Sequence, residues 1–219
     1  MTPRVTYQNA LDELEKEILK MGSLVEEQIS HAINSLAGQD LKMAQKCVEQ
    51  DDIIDRLELE IEEKCLMLIA TQQPMAKDLR RIAAGFKIIT DLERIGDNAV
   101  DIAKTTLRIG EEPLIKPLID IPRMAQITQD MLKEALDSYI NEDIHLAESL
   151  AGKDDIVDGL HGQIIRELLT YMFENTRNIK QGTQLMFVSR YLERMADHAT
   201  NIGENVIYMV TAERKDLNE

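Results

Sequence analysis

Residues 92–103 read LERIGDNAVDIA, and residues 192–203 read LERMADHATNIG. If the first segment is helical, Glu93, Asp97 and Asp101 lie four residues apart on one face. Each adjacent pair of like charges in such a row costs an isolated helix a few tenths of a kcal/mol. The second segment repeats the first two acidic positions in register, so the unfavourable row is present twice.

Long amphipathic helices account for almost the whole chain. Apolar residues recur at three- and four-residue spacing over residues 6–36, then from Asp40 to Pro74, and again over residues 75–107. This is the period of an α-helix with one buried face, and almost no segment alternates as a strand does. Asp40 is suited to cap the second helix and Pro74 to end it. The sequence therefore predicts an all-α fold.

An internal repeat divides these helices into two sets. The motif DDIID at residues 51–55 recurs as DDIVD at residues 154–158, 103 positions later. Past a turn that is three residues shorter in the second copy, the offset becomes 100 and aligns the two LER segments. A repeat of this length corresponds to two copies of a three-helix unit and not to a short-period solenoid.

Short connections make the successive helices of each unit antiparallel. We therefore predict a tandem repeat of two antiparallel three-helix bundles that lie side by side. The first bundle covers residues 1–110, and the second covers residues 118–219. Residues 111–117 include Pro113 and Pro117, interrupt the helical pattern and form the linker.

Composition restricts the partners and the compartment. The formal net charge is −15, the pI is about 4.7 and aromatic residues make up 4% of the chain, which argues against a nucleic-acid partner. No apolar run approaches the length of a membrane span, and the N-terminus lacks the apolar core of a signal peptide, so we expect a cytoplasmic protein. Cys47 and Cys65 form no CxxC motif and are expected to be buried apolar residues.

The two acidic rows are candidate metal sites. On a helical projection the acidic side chains continue an apolar seam, so they repel each other and lose hydration unless a cation neutralises them. Oxygen ligands at i, i+4 spacing suit hard cations such as Mg²⁺, Ca²⁺, Mn²⁺ or iron. The candidate ligands are Glu93, Asp97 and Asp101 in the first row and Glu193, Asp197 and Asn201 in the second.

The preceding helix of each unit carries a pair of aspartates with the same spacing. Asp51 and Asp55, and their copies Asp154 and Asp158, flank the apolar face of that helix. An antiparallel neighbour either presents these side chains to the acidic row or leaves them in solvent. They form a second set of candidate ligands.

Arginine side chains are the alternative source of positive charge. Arg94 and Arg194 each follow a glutamate of the row directly and therefore point about 100° away from it, toward a flanking groove. They can still bend to pair with Asp97 or Asp101. If such ion pairs neutralise the rows, the rows are structural and are repeated only because the gene was duplicated.

The tandem units, with DLERIGDNAVDIA in the first and YLERMADHATNIGENV in the second, resemble the PhoU family of phosphate-specific transport system accessory proteins. The likeness extends over essentially the full chain. It implies a negative regulator of phosphate uptake and of the phosphate-starvation response. Such a protein acts as an adaptor between the phosphate ABC transporter, through its ATPase subunit, and a sensor histidine kinase.

The resemblance also implies a protein that is not an enzyme, that forms a homodimer or higher oligomer and that meets the membrane only through its partners. Some members of the family hold multinuclear metal clusters at E(D)xxxD motifs. On this chain the motif falls on Glu93, Asp97 and Asp101 and again on Glu193 and Asp197. Asn201 departs from the acidic pattern, so the two sites are expected to differ in metal affinity or nuclearity.

The identity of the metal stays open among iron, manganese, zinc, magnesium and calcium. A competing interpretation is a carboxylate-bridged metalloenzyme of unknown substrate, in which bound metal activates water. The sequence offers no repeated histidine ligand and no convincing general base for it. The third interpretation is a purely structural bundle.

Overall fold

The computed structural model describes residues 3–217; the predicted domain limits at residues 1 and 219 lie outside this range. Within it the chain forms seven α-helices, one 3-10 turn at Thr176–Asn178 and no strand, which confirms the all-α prediction. The helices are α1 (Pro3–Gly38), α2 (Leu41–Glu49), α3 (Asp51–Gln72), α4 (Ala76–Ile109), α5 (Asp120–Asn141), α6 (Ile144–Glu174) and α7 (Ile179–Thr211).

Local sequence explains where two of the helices begin. Asp40 caps α2, as predicted, because its carboxylate accepts the backbone N–H groups of Lys42 and Met43, each at 3.0 Å. Asp143 caps α6 by accepting the N–H of Leu146 at 3.1 Å. Each aspartate satisfies donors that the first helical turn leaves without a partner. The second helix therefore starts at equivalent positions in the two copies.

Each half of the molecule is a three-helix bundle. In the first half α1 and α4 run parallel, since Glu15 pairs with Arg81 and, further along, Gln28 lies beside Gly96. α3 packs against both helices in the opposite direction. In the second half α6 packs in the same way against α5 and α7. These two bundles are the predicted structural repeat.

The halves lie side by side because α4 packs against α7 and α1 packs against α5. α4 and α7 are antiparallel: Arg80 Nε near the start of α4 donates to Met209 O near the end of α7, at 3.1 Å. Further along, Asp91 Oδ1 lies 3.0 Å from His198 Nδ1. Within residues 3–217, α3 and α6 contact no helix of the opposite half. They therefore form the outer flanks of the molecule.

The apolar core is continuous along the two central helices, α4 and α7. These helices contact neighbours in their own half and in the other half, so they are buried on more than one side. A fully buried aliphatic side chain contributes about 1.5–3 kcal/mol relative to an exposed one. In the two repeated LER segments, the fully buried apolar residues are Leu92, Ile95, Ala99 and Ile102 on α4 and Leu192, Met195, Ala199 and Ile202 on α7.

The second helix of the first half is not continuous, contrary to the prediction of one helix from Asp40 to Pro74. It is interrupted at Gln50, between α2 and α3. The two aspartates that follow Gln50 favour a helix start, but the same pair is present in the unbroken α6. The residues just before the pair differ between the copies: Gln50, where the first helix breaks, corresponds to Lys153, which lies within α6 and pairs with Glu134.

The connection between the halves is held down by hydrogen bonds. The side chain of Gln181 on α7 accepts the N–H of Ile115 at 2.6 Å and donates to Pro113 O at 3.1 Å. Lys116, which is almost completely buried, pairs with Glu167 on α6. The connection runs over residues 110–119 and is thus fixed mainly to the second half.

Two expectations about the chain as a whole can be compared with the structure. Cys47 and Cys65 are both buried free thiols, as predicted, and burial raises their pKa values to about 11 and about 12. None of the helices in residues 3–217 has a segment long and apolar enough to cross a membrane.

Two glycines test the close approach of α6 and α7. A Cβ on Gly203 would lie 2.7 Å from Leu150 Cδ1 and 3.2 Å from the backbone oxygen of Ala147. We expect Gly203→Ala to lower the free energy of unfolding by about 1–2 kcal/mol, because overpacking outweighs the gain in helix propensity. The measurement is urea denaturation followed by circular dichroism.

Gly152→Ala is the matched control, because a Cβ at Gly152 meets nothing within 4 Å. It should raise the free energy of unfolding by about 0.5–1 kcal/mol, the helix-propensity difference alone. Equal effects of the two substitutions would contradict the close packing of α7 on α6.

Candidate metal-binding carboxylate clusters

The first group of carboxylates lies where α3 meets α4, and we call it the first cluster. The negative charge of Asp97 on α4 raises the pKa of Asp51 on α3. The charges of Asp55 and Glu58 on α3 raise the pKa of Glu93 on α4. The antiparallel neighbour therefore presents its acidic residues to the acidic row. The members of the first cluster are Asp51, Asp55, Glu58, Glu93 and Asp97.

The second cluster occupies the equivalent place between α6 and α7. The negative charges of Asp197 and Glu193 raise the pKa of Asp154. The charge of Asp158 raises the pKa values of both Glu193 and Asp197. All four residues are among the ligands predicted from the sequence. The central pair of helices thus carries one acidic cluster on each flank.

Burial distinguishes three of these carboxylates from an ordinary solvated helix face, whereas Asp55 and Asp158 are exposed. Asp154 is 7% exposed, and the side chains of Glu93 and Glu193 are 16% and 13% exposed. One oxygen of each, Asp154 Oδ1, Glu93 Oε2 and Glu193 Oε2, is buried without a hydrogen-bond partner. A buried charged oxygen in this state costs free energy that a bound cation would recover.

The proton affinities of the clusters reflect this environment. The pKa of Glu93 is raised to about 7, first by burial and next by the charge of Asp97. The pKa of Asp154 is also raised to about 7, by burial and then by the charges of Asp158 and Asp197. Burial followed by a neighbouring carboxylate likewise raises the pKa of Glu193. Each cluster therefore holds more negative charge than its surroundings stabilise.

Arginines neutralise the clusters only in part. Arg94 Nε lies 3.4 Å from Glu93 Oε2, and Arg94 Nη1 lies 3.4 Å from Asp97 Oδ2, but this side chain is 53% exposed. Glu93 Oε2 is near Arg94 without accepting a hydrogen bond from it. In the second cluster Arg190 pairs with Glu193. The positive charge of Lys104 also favours the charged form of Asp51, and Arg194 and His198 favour that of Asp197. The pKa values of Glu93 and Asp154 stay raised despite these cations, so ion pairing offsets the charge of the rows only in part.

The clusters contain the donor atoms that a hard cation prefers, but the side chains do not converge on one point. The donors are carboxylate oxygens, and three of these oxygens have no hydrogen-bond partner. As the side chains are placed, no three His, Cys, Asp or Glu residues within residues 3–217 are arranged to hold an ion. Binding therefore requires carboxylate side chains to rotate toward one point.

The third position of each row has other contacts. Asp101 Oδ1 lies 3.8 Å from Lys104 Nζ, and the charge of Asp101 also acts on Tyr191 of α7. Asn201 Nδ2 lies 3.5 Å from Asp91 Oδ1 on α4. Both residues thus contact the interface between the two halves, and their role as metal ligands stays a prediction.

The predicted ligand set did not include Glu58, a member of the first cluster, or its repeat counterpart His161, which lies adjacent to the second cluster. The charge of Glu58 acts on Glu93, and the charge of Asp158 acts on His161, whose Nδ1 lies 3.0 Å from Ser189 Oγ. Both positions lie seven residues after the first aspartate of their helix, on the same helical face. This seven-residue spacing is the feature of the sequence from which their place beside the aspartates could have been predicted.

A comparison with known protein families identifies the repeated unit. The family model described as the PhoU domain matches the chain twice, over residues 18–106 and 121–206. Each match runs from the first helix of one half to the last. The two copies of the motif are thus two copies of one known domain.

Curated relatives match over nearly the whole chain. The phosphate-specific transport system accessory protein PhoU homolog of Clostridium acetobutylicum is 42% identical over 217 residues, which is 99% of both chains. The homolog of the same name from Aquifex aeolicus is 43% identical over 203 residues, covering 93% of this chain and 92% of the relative.

Solved structures share the fold. The crystal structure of PhoU from Pseudomonas aeruginosa has a TM-score of 0.90 and 38% identity, and the match covers 94% of this chain and 100% of that one. The phosphate transport system regulatory protein PhoU from Streptococcus pneumoniae also has a TM-score of 0.90, with 32% identity over 96% and 99% of the two chains.

The buried carboxylates predict how the metal-free protein responds to pH. Because the pKa of Glu93 is raised from 4.5 to about 7, the folded state binds more protons than the unfolded chain between these two pH values. The free energy of unfolding must therefore fall as the pH rises from 4.5 to about 7. Chelator-treated protein should unfold at lower urea concentration at about pH 8 than at about pH 5.5, because its carboxylates are then fully charged.

Asp154→Asn should raise the free energy of unfolding of the metal-free protein at about pH 8 by about 1 kcal/mol, a figure reduced for solvent screening. Asp155→Asn removes the same charge from an exposed neighbour and should have little effect. If both substitutions act equally, or if Asp154→Asn destabilises the metal-free protein, the second cluster is not a site of uncompensated charge.

Proposed function

The chain belongs to the PhoU family, and on that premise we propose that it is an accessory protein of a phosphate-specific transport system. The observation that carries this proposal is the match to the named relatives at 42–43% identity over at least 92% of both chains. The same architecture in two PhoU crystal structures supports it. These relatives are named as accessory or regulatory proteins of phosphate transport, which is consistent with a role without catalysis.

Within that system we propose negative regulation of phosphate uptake and of the phosphate-starvation response. The protein acts as a cytoplasmic adaptor between the ATPase subunit of the transporter and a sensor histidine kinase. Two features of the molecule support an adaptor: a net charge of −15, and large apolar side chains exposed beside the turn before each central helix. Met75, the N-cap of α4, and Phe173, in the last turn of α6, are 80% and 86% exposed and are available for contact with a partner. A homodimer or higher oligomer forms part of the same proposal.

We also propose that each carboxylate cluster binds metal cations. Asp51, Asp55, Glu58, Glu93 and Asp97 hold the first site, and Asp154, Asp158, Glu193 and Asp197 hold the second, with His161 adjacent to it. The buried oxygens without partners support this assignment. A bound cation supplies positive charge at each cluster, which removes the repulsion between carboxylates and ties the outer helix to its central helix.

Metal binding should be visible in both content and stability. We expect Mn²⁺ or Fe²⁺ added to chelator-treated protein to raise the melting temperature, because an ion at about 100 times its Kd adds about 2.7 kcal/mol to the folded state. Glu93→Gln with Asp97→Asn should remove the metal of the first cluster only, and Glu193→Gln with Asp197→Asn that of the second. Metal content by mass spectrometry and thermal denaturation provide the measurements.

Asp52→Asn with Asp155→Asn is the matched control, since both side chains are exposed beside the clusters. These substitutions should leave metal content unchanged. Absence of bound metal in the wild type, together with no thermal response to Mn²⁺, Fe²⁺, Zn²⁺, Mg²⁺ or Ca²⁺, would refute the metal proposal and leave the regulatory proposal to the cellular test.

The regulatory role is tested by deleting the gene in its native host. We expect a phosphate-responsive reporter to become active at high phosphate in the deletion strain, because the negative regulator is missing. A plasmid copy of the wild-type gene should restore repression. Reporter activity that is unchanged by the deletion at both high and low phosphate would contradict the proposed function.

A further inference from the structure

A small cavity with a mainly apolar lining and a few polar groups lies in the first half, where α1 passes the break between α2 and α3. Its volume is about 40 Å³, larger than the roughly 10–15 Å³ that one water molecule requires. The cavity borders the first cluster, because Gln50 adjoins Asp51, but no carboxylate of that cluster is among its lining residues. Its lining residues are Leu24, Glu27, Gln28, His31, Gln50, Ile53 and Ile54.

Gln28 is the residue that marks this cavity as a site. It is 6% exposed, and both its side-chain oxygen and its side-chain nitrogen are buried without a hydrogen-bond partner. Leaving such groups without partners costs about 1–3 kcal/mol each. The amide packs closely on α4, since Gln28 Oε1 lies 3.1 Å from the position that a Cβ on Gly96 would occupy. A hydrogen-bond donor in the cavity is the available partner for the amide oxygen.

The second half carries different side chains at the equivalent positions. By the 103-residue repeat, Gln28 corresponds to the fully buried Met131, His31 to Glu134 and Gln50 to Lys153. There Lys153 Nζ lies 2.6 Å from Glu134 Oε1. The second half thus supplies a lysine ammonium from its own chain, whereas the first half has an amide acceptor and no lysine among the lining residues.

From this difference we propose that the first-half cavity binds a primary ammonium group, that of a lysine side chain on a partner protein. Gln28 Oε1 and the carboxylate of Glu27 accept hydrogen bonds from the ammonium. The apolar side chains of Leu24 and Ile53, the latter 39% exposed at the rim, contact the methylene stem as aliphatic surfaces do along lysine stems.

Electrostatics favour a cation here over an anion. Glu27 is exposed beside the cavity, and its Oε1 lies 3.8 Å from His31 Nε2. The segment Gln50-Asp51-Asp52 adds acidic charge next to it. The overall charge of −15 attracts basic protein surfaces and raises their association rate. The inference goes beyond the proposed function, because binding of an ammonium can be measured in the isolated protein.

The first experiment uses n-butylammonium, which has the side chain of lysine without its backbone, and n-butanol as its neutral analogue. We expect n-butylammonium, but not n-butanol, to shift the ¹⁵N–¹H signals of the Gln28 side-chain amide in a saturable manner. Gln28→Met assigns those signals and should abolish the response. No saturable shift, or an equal shift with n-butanol, would show that only water occupies the cavity and would overturn the proposal.

A second variant transplants the second-half residues into the first half as Gln28→Met, His31→Glu and Gln50→Lys. This set occurs together in the same fold at residues 131, 134 and 153, so the variant should fold, which circular dichroism and thermal denaturation verify. It should no longer bind n-butylammonium, because the Gln28 acceptor is gone and a lysine of the chain itself can pair with the glutamate introduced at position 31. Retained binding would overturn the assignment of the site.

The partner as the source of the lysine is tested in the reporter strain. The transplant variant should fail to restore repression at high phosphate although it keeps wild-type stability and metal content. Full repression by this variant would overturn the partner-lysine proposal, even if the wild type binds the free amine. Failure of the proposed function is distinguishable, because it is seen with the gene deletion and the wild-type plasmid alone.

Discussion

The antiparallel packing of α4 against α7 is the contact on which the remainder of the structure depends. Both helices are lined by fully buried apolar residues along their length, and each also packs on the other helices of its own half. Because this pair occupies the centre, α3 and α6 lie on opposite outer flanks. Each flank then becomes a seam between one outer and one central helix, and a carboxylate cluster lies in each seam. The two sites are thus separated by the core that positions them.

The clusters make the metal-free fold less stable than an apolar seam would. Burial and mutual repulsion raise the pKa values of Glu93 and Asp154 to about 7, and the nearby arginines are too few and too exposed to balance the charge. The apolar contacts of the central helices offset this cost. Acidic residues placed against stability in both copies of a repeat are typical of a binding function. The family match directs that function to phosphate transport, and the proposed cations are one way in which the state of the protein can change.

The two copies share a backbone plan but differ in chemistry at matched positions. Glu58 corresponds to His161, Asp101 to Asn201, and Gln28 to Met131. The helix that is continuous through Lys153 is interrupted at Gln50 in the first half. Glu58 and His161 lie beside the two clusters, Gln28 lies at the first-half cavity, and Asp101 and Asn201 lie at the interface between the halves. Most other core positions are apolar in both copies. The shared apolar core gives both halves the same bundle, and the differences at polar positions give each half its own set of possible ligands.

The sequence by itself determined the all-α fold, the duplication, the cap at Asp40 and the acidic rows, because helical periodicity and capping are local properties that short segments encode. It left open whether Asp51 and Asp55 face the rows, and it predicted one helix where the structure has two. Only the tertiary structure decided these points, along with the place of Glu58 in the first cluster and the unpartnered amide of Gln28. They depend on which side chains of separate helices meet, and neither contacts nor burial between helices follow from the spacing within one helix.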